Sequence, residues 1–248
     1  MSANIKTGAG ASPGAIKSAN DPSEEWRCLV DGKNKQVLFR GRKVNLTAPS
    51  TDANALAAEC DELVAYMPLR AAFADSIHFQ ALSGAHVTAA IWSAVGLTTD
   101  HPVDLKLKAL RRFVLKKIDA PIVELKAEFA RARPWMCCKS PRFEAMYRKD
   151  DWRRPPLAAY PSGHATLAWF WAFLLGHYFP QKQAALQIVA AQVALNREIA
   201  GLHYASDSAA GHDLARQLVN VLLATIKDGP SFEEHNQLLL ELAGQTSS

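Results

Sequence analysis

The chain has 248 residues, of which 49% are hydrophobic and 21% charged, with a net charge of +4. These values argue against a disordered chain, and basic residues spread along the sequence rather than blocked argue against a nucleic-acid-binding protein, which would usually show a denser patch. They allow a domain with a sizeable core and a mild positive field suited to a small anionic partner.

Residues 1–24, rich in Gly, Ala, Ser, Asn and Pro, read as a disordered tail. They lack the apolar stretch of a secretory signal, and the longest apolar run, Leu167 to Leu175, is far short of the roughly 20 residues of a membrane span. The expectation is a soluble, cytoplasmic protein without a transmembrane segment. Residues 25–48 predict a small β-hairpin appendage: Trp26 to Val30 and Gln36 to Phe39 flank Asp31-Gly32, and Gly41 ends it.

From Asp52 onward the texture is helical. Leu56, Cys60, Leu63, Val64 and Met67 recur at helical spacing. The pattern continues over residues 77–96, 103–117, 120–133, 163–178, 182–200, 207–227 and 231–243, so residues 49–248 predict one all-α domain packed as a bundle. Residues 135–161 are the exception, a long, aperiodic, proline-containing connection of the kind that carries function. Cys28, Cys60, Cys137 and Cys138 are too few for a disulfide framework, and their spacing is not that of a zinc site. No metal ligand set is expected.

Three clusters suggest chemistry. In the first, Lys126 and Arg133-Pro134 are seven residues apart, which places both cations on one face of a helix that Pro134 ends; Arg131 lies off that face and reads as solvated. The second is Tyr160-Pro161-Ser162-Gly163-His164 ahead of an apolar helix. Ser162 reads as an N-cap, Gly163 permits close backbone approach, and the free N–H groups of the first turn suit an anion. The third is Asn196-Arg197, then His203 and Asp207, with Gly201 breaking the helix before His203 and Asp207 placed to cap the next one. A carboxylate beside His203 fixes its tautomer. A charge clamp, backbone donors, a nucleophile and a proton donor together form the set a tetrahedral oxyanion requires.

The order Lys-x6-Arg-Pro, Pro-Ser-Gly-His, Arg-x5-His-x3-Asp over residues 126–213 resembles the signature of the type 2 phosphatidic acid phosphatase superfamily. This superfamily groups bacterial class A acid phosphatases, lipid phosphate phosphatases and vanadium-dependent haloperoxidases. The resemblance implies the helical bundle of that group and a metal-independent phosphatase without a cofactor. Lys126, Arg133 and Arg197 would clamp the phosphate, and Ser162 and Gly163 would add hydrogen bonds. His203 would form a phosphohistidine, His164 would serve the leaving group and then the water, and Asp207 would orient His203. The alternative is a haloperoxidase holding vanadate in the same pocket. Asn196 departs from the Ser that many relatives carry there. The implied partner is a small phosphorylated substrate, with no nucleic acid, and a homo-oligomer is compatible with it. Trp169, Trp171 and Phe173 read as core, His212 as a candidate neighbour of the site, and Arg142, Arg148, Arg153 and Arg154 as solvated loop charges.

Overall fold

A computed structural model describes residues 27–81, 83–97, 104–147, 158–226 and 230–245. The expected tail at 1–24 lies outside the described residues, as do Arg148, Arg153 and Arg154.

The hairpin exists, one strand further along the chain than predicted. Strands β1 (Lys35–Phe39) and β2 (Arg42–Leu46) pair antiparallel, with Val37 opposite Val44 and Phe39 opposite Arg42. The two-residue turn, Arg40-Gly41, has φ of 49° and 74°. A tight hairpin needs two positive φ values, so Gly41 makes the turn rather than ending the hairpin. Alternation then points Val37, Phe39, Val44 and Leu46 into the main core. The segment predicted as the first strand has another partner. Arg27 pairs with the chain on either side of Arg131, its N–H donating to Ala130 O (3.1 Å) and its carbonyl accepting from Ala132 N (2.8 Å).

The helices follow as α1 (Ala53–Tyr66), α2 (Arg70–Ala81), α3 (Gly84–Ser93), α4 (Asp104–Phe129), α5 (Pro134–Cys137), α6 (Gly163–Tyr178), α7 (Gln183–Ile199), α8 (Ala205–Ala224) and α9 (Pro230–Gln245). The predicted helix at 77–96 divides into parts of α2 and α3, and those at 103–117 and 120–133 merge into α4, which carries Pro121 internally. Proline costs α4 one backbone hydrogen bond there without ending it.

α6 is apolar around most of its circumference, and such a helix must be surrounded. It packs against α3, α7 and α8 and also meets α4 and α9. Trp171 on α6 is fully buried and donates to Thr88 Oγ1 at 2.9 Å, so it is core as expected. Contact with α8 is closest at Gly211, where a Cβ would stand 2.9 Å from Ser162 O and 3.0 Å from Thr166 N. Any side chain at Gly211 would therefore push the start of α6 away from α8.

All four cysteines are paired, Cys28 with Cys137 and Cys60 with Cys138, contrary to the expectation of no disulfide framework. Counting cysteines against chain length missed this, because the bridges depend on which strands of chain meet. Adjacent cysteines at the end of α5 bind separate partners, one in the segment beside Arg131 and one on α1. The bridges span 109 and 78 residues of sequence. Loops of that length predict a loss of about 2–4 kcal/mol for each bridge removed. Cys28→Ser should thus lower Tm by roughly 5–10 °C, and calorimetry together with non-reducing peptide mapping checks both the size and the pairing.

Candidate active site

The last turn of α4 supplies Lys126, which is buried and donates from Nζ to the carbonyls of Ala158 and Ala159. α4 then stops at Phe129, and Ala130 takes a left-handed φ of 46°. This corrects the predicted helix through residue 133: Lys126 and Arg133 do not share a helix face. Arg133 instead sits in extended conformation at the N-cap of α5, with Pro134 in the first helical position. The turn at Ala130 brings Arg133 to the pocket from another direction. Its Nη1 donates to Leu202 O and to His203 Nε2, each at 2.7 Å.

Arg131 is also corrected. It is 2% exposed, not solvated, and pairs with Asp207 and Glu59, each at 2.7 Å. The helix-face argument that placed it in solvent fails once α4 ends two residues earlier. Its spacing of two from Arg133 is a signal for an extended segment, readable only with hindsight of that ending.

Ser162 is the N-cap of α6, accepting from Ala165 N at a long 3.4 Å, and its own N–H donates to Asp207 O at 3.0 Å. That backbone bond ties the start of α6 to the first turn of α8. At Gly163 a Cβ would meet only Ile122, at an ordinary 3.6 Å, so packing does not demand glycine there; its absent side chain leaves the helix N-terminus uncovered. His164, in the same first turn, has a buried Nε2 without a hydrogen-bond partner.

α7 delivers Arg197 and then stops as predicted at Gly201, which has φ of 70°. Gly201 N donates to Glu198 O (2.7 Å) and Leu202 N to Arg197 O (3.0 Å), the paired bonds of a Schellman ending. Asn196, the departure from the usual Ser, lies in a structural network linking α7 to α2 through Ser76 Oγ (3.0 Å) and Gln80 Oε1 (2.9 Å). Asp207 caps α8 from inside rather than at the N-cap: it is the third helical residue, and Oδ2 accepts from Tyr204 N at 2.9 Å. The same oxygen faces His203 Nδ1 at 3.3 Å. Arg133 can only donate, so His203 Nε2 is unprotonated and the ring proton is on Nδ1, toward Asp207. His212 points elsewhere, stacked edge-on against Trp169 and Phe173 and paired with Asp213. Arg142 is exposed.

The pocket is charged against its own burial. Burial pushes the guanidinium groups of Arg133 and Arg197 down to about 10, with Arg133 adding repulsion at Arg197, so both stay charged at neutral pH. Burial, then Arg133, lower Lys126 well below its ordinary value, against the attraction of Asp207. Burial lowers both His164 and His203 as well, and cations add to it: Arg197 first at His164, Arg133 first at His203. Meanwhile Arg197 Nε and Nη1 are buried without partners among the described residues. Unpaired buried donors on a cation are costly unless an anion completes them. The arrangement can hold a tetrahedral oxyanion between these donors, His164 Nε2 and the α6 N-terminus.

A sequence model of the PAP2 superfamily matches residues 114–228, an interval containing Lys126, Arg133, Ser162, Gly163, His164, Arg197, His203 and Asp207. Among solved structures the chain is similar to the first transmembrane PAP2 type phosphatidylglycerolphosphate phosphatase from Bacillus subtilis, at 17% identity and a TM-score of 0.44, over 73% of this chain and 90% of that chain. Among the described residues of the present chain, no helix is long and apolar enough to cross a membrane.

An oxyanion that relieves this charge must stabilise the fold. Sulfate, which does not titrate near neutrality, should raise Tm by roughly 5–10 °C at a hundred times its Kd, since ligand binding then adds about 2.7 kcal/mol. The pH dependence has a definite sign. Both histidines titrate below 6.5 in the folded protein, so the unfolded chain binds more protons, and stability falls as pH drops below about 6.5. Bound sulfate raises both values again, so its affinity should increase as pH falls. Calorimetry across pH 5–8 measures both trends.

Proposed function

The chain carries a PAP2-superfamily domain over residues 114–228, and from that premise we propose that it is a metal-independent phosphatase. In this reading it hydrolyses phosphomonoesters through a phosphohistidine on His203. The observation that carries the proposal is the trio of buried Lys126, half-buried Arg133 and buried Arg197 around two histidines, with Arg197 Nε and Nη1 and His164 Nε2 unpaired among the described residues.

Phosphoryl transfer asks mainly for positioning and charge stabilisation. Two guanidinium groups bind phosphate oxygens in planar fashion and Lys126 adds a point charge, the task a divalent cation performs in other phosphatases. Ser162 and the Gly163 N–H supply further donors at the helix N-terminus. Arg133 Nη1 covers the nucleophilic nitrogen, at 2.7 Å from His203 Nε2. Substrate entry therefore requires Arg133 to exchange His203 Nε2 for a phosphate oxygen, which frees the lone pair as the phosphorus arrives. His203 Nε2 then attacks phosphorus while Asp207 holds the Nδ1 proton. The ester oxygen leaves with a proton from His164, whose lowered basicity is restored by the negative charge of the bound phosphate. Neutral His164 next takes a proton from water, which displaces His203 and releases inorganic phosphate.

Two disulfides lead us to place this activity in an oxidising compartment, in preference to the cytoplasmic location expected from the sequence.

Hydrolysis of p-nitrophenyl phosphate in EDTA, inhibited by vanadate, is the direct test. His203→Ala should abolish a trapped acid-labile phosphoenzyme. His164→Ala should cost about 10²–10⁴-fold with poor leaving groups and far less with p-nitrophenol. Equal losses for both leaving groups would remove the proton-donor role, and vanadate-dependent bromide oxidation by peroxide without hydrolysis would replace the phosphatase reading altogether.

A further inference from the structure

Arg131 is a buried cation of this region that the phosphate clamp does not use. Its Nη1 donates to Asp207 Oδ1 and to Ser206 Oγ, and its Nη2 to Glu59 Oε2, all at 2.7 Å. Its guanidinium carbon stands 4.1 Å from the centroid of the buried Tyr204 ring. The backbone is fixed as well, since Arg27 pairs on both sides of Arg131. Glu59 completes the chain of contacts by accepting from Ser206 N at 2.9 Å through its other oxygen, Oε1. The result is a continuous line, α1 to Glu59, Glu59 to Arg131, Arg131 to Asp207, Asp207 to His203.

Asp207 is fully buried, and its two oxygens have separate duties. Oδ2 serves Tyr204 N and His203 Nδ1, while Oδ1 is taken up by Arg131. Without Arg131 the carboxylate would lose the contact that sets its rotation, and it would face His203 with one cation fewer to offset its charge, Lys126 and Arg133 remaining. A less compensated carboxylate favours imidazolium, and imidazolium has no lone pair at Nε2 with which to attack. We infer that Arg131 is a positioning residue for the nucleophile, fixing the His203 ring through Asp207 and keeping that ring neutral. The inference rests on the phosphatase reading for its kinetic consequence, and on geometry alone for its electrostatic one.

The charges that face His203 are Lys126 from α4, Arg133 from the α5 cap, His164 from α6, Arg197 from α7 and Asp207 from α8. Behind Asp207 lie Arg131 and the carboxylates of Glu59 and Glu198. Changing Arg131 or Glu59 leaves the first set intact and alters only what stands behind Asp207.

The test compares Arg131→Gln, Arg131→Lys and Glu59→Gln by kcat, KM, sulfate affinity and NMR titration of the His203 ring. Arg131→Gln should lower kcat about 10–100-fold, the cost typical of losing such an outer partner, with sulfate Kd changed less than about threefold. The His203 titration and the acid limb of kcat/KM should both move up by about one pH unit. Arg131→Lys keeps the charge and should leave the limb near its parent position while losing part of kcat. Glu59→Gln removes a negative charge and should move His203 downward, the opposite direction. A purely structural ion pair predicts lower Tm in all three variants with no movement of the titration, and that result overturns the inference. So does an Arg131→Gln enzyme with parental kcat, or one that loses sulfate affinity as fully as turnover. Should the parent protein hydrolyse no phosphorylated substrate, the phosphatase reading fails by itself, and the His203 titrations still decide the role of Arg131. Should Arg131→Gln not fold, the direction of the Glu59→Gln shift decides it.

Discussion

Lys126, Arg133 and Arg197 repel one another across a site in which Lys126 and Arg197 are buried, and the organisation of the site answers that repulsion. One buried carboxylate, Asp207, offsets part of it, and the Ala158, Ala159 and Leu202 carbonyls absorb some of the donors. Among the described residues Arg197 is left with two unpaired nitrogens, Nε and Nη1. Donors held by the fold before an anion arrives are preorganised, and their reorganisation is not part of the barrier. The depressed basicity of the two histidines comes first from burial and then from the same cations, and it favours the neutral form that His203 needs for attack.

Holding this charge requires rigid supports around it. α6, surrounded by other helices, fixes the N-terminus that opens onto the pocket. The bond from Ser162 N to Asp207 O, with Gly211 admitting α8 at van der Waals distance, sets α6 and α8 in register. The Schellman ending of α7 at Gly201 turns the chain between Arg197 and His203, so one helix end and the following helix start present two site residues to a common point. Asn196, beside Arg197, holds α7 to α2 through Ser76 and Gln80.

The segment from Arg131 to Cys138 gathers the remaining supports. It carries Arg131 and Arg133, it is paired with Arg27 at one end, and it is bridged to Cys28 and Cys60 at the other. Only Pro134–Cys137 of this segment is helical, as the one-turn α5, and so short a stretch has few backbone bonds of its own, so cross-links and backbone pairing hold its path. The disulfides and the Arg131–Asp207 pair thus act on neighbouring parts of one strap: the first holds its path, the second sets what it does to the nucleophile.

The helical class and the approximate extents of α1, α6, α7, α8 and α9 were legible in the sequence, because periodicity records local conformation directly. The stop at Gly201 was legible for the same reason, being a local backbone requirement. The end of α4 at Phe129 was not, since a left-handed alanine leaves no mark in composition; with it went the true settings of Arg131 and Arg133. Nor could the pairing of Cys137 and Cys138 be read, or the need for glycine at 211, or the partnership of Glu59 with Asp207 through Arg131. Each of those depends on which distant segments meet, and contact between residues separated by tens of positions is decided by how the helices pack.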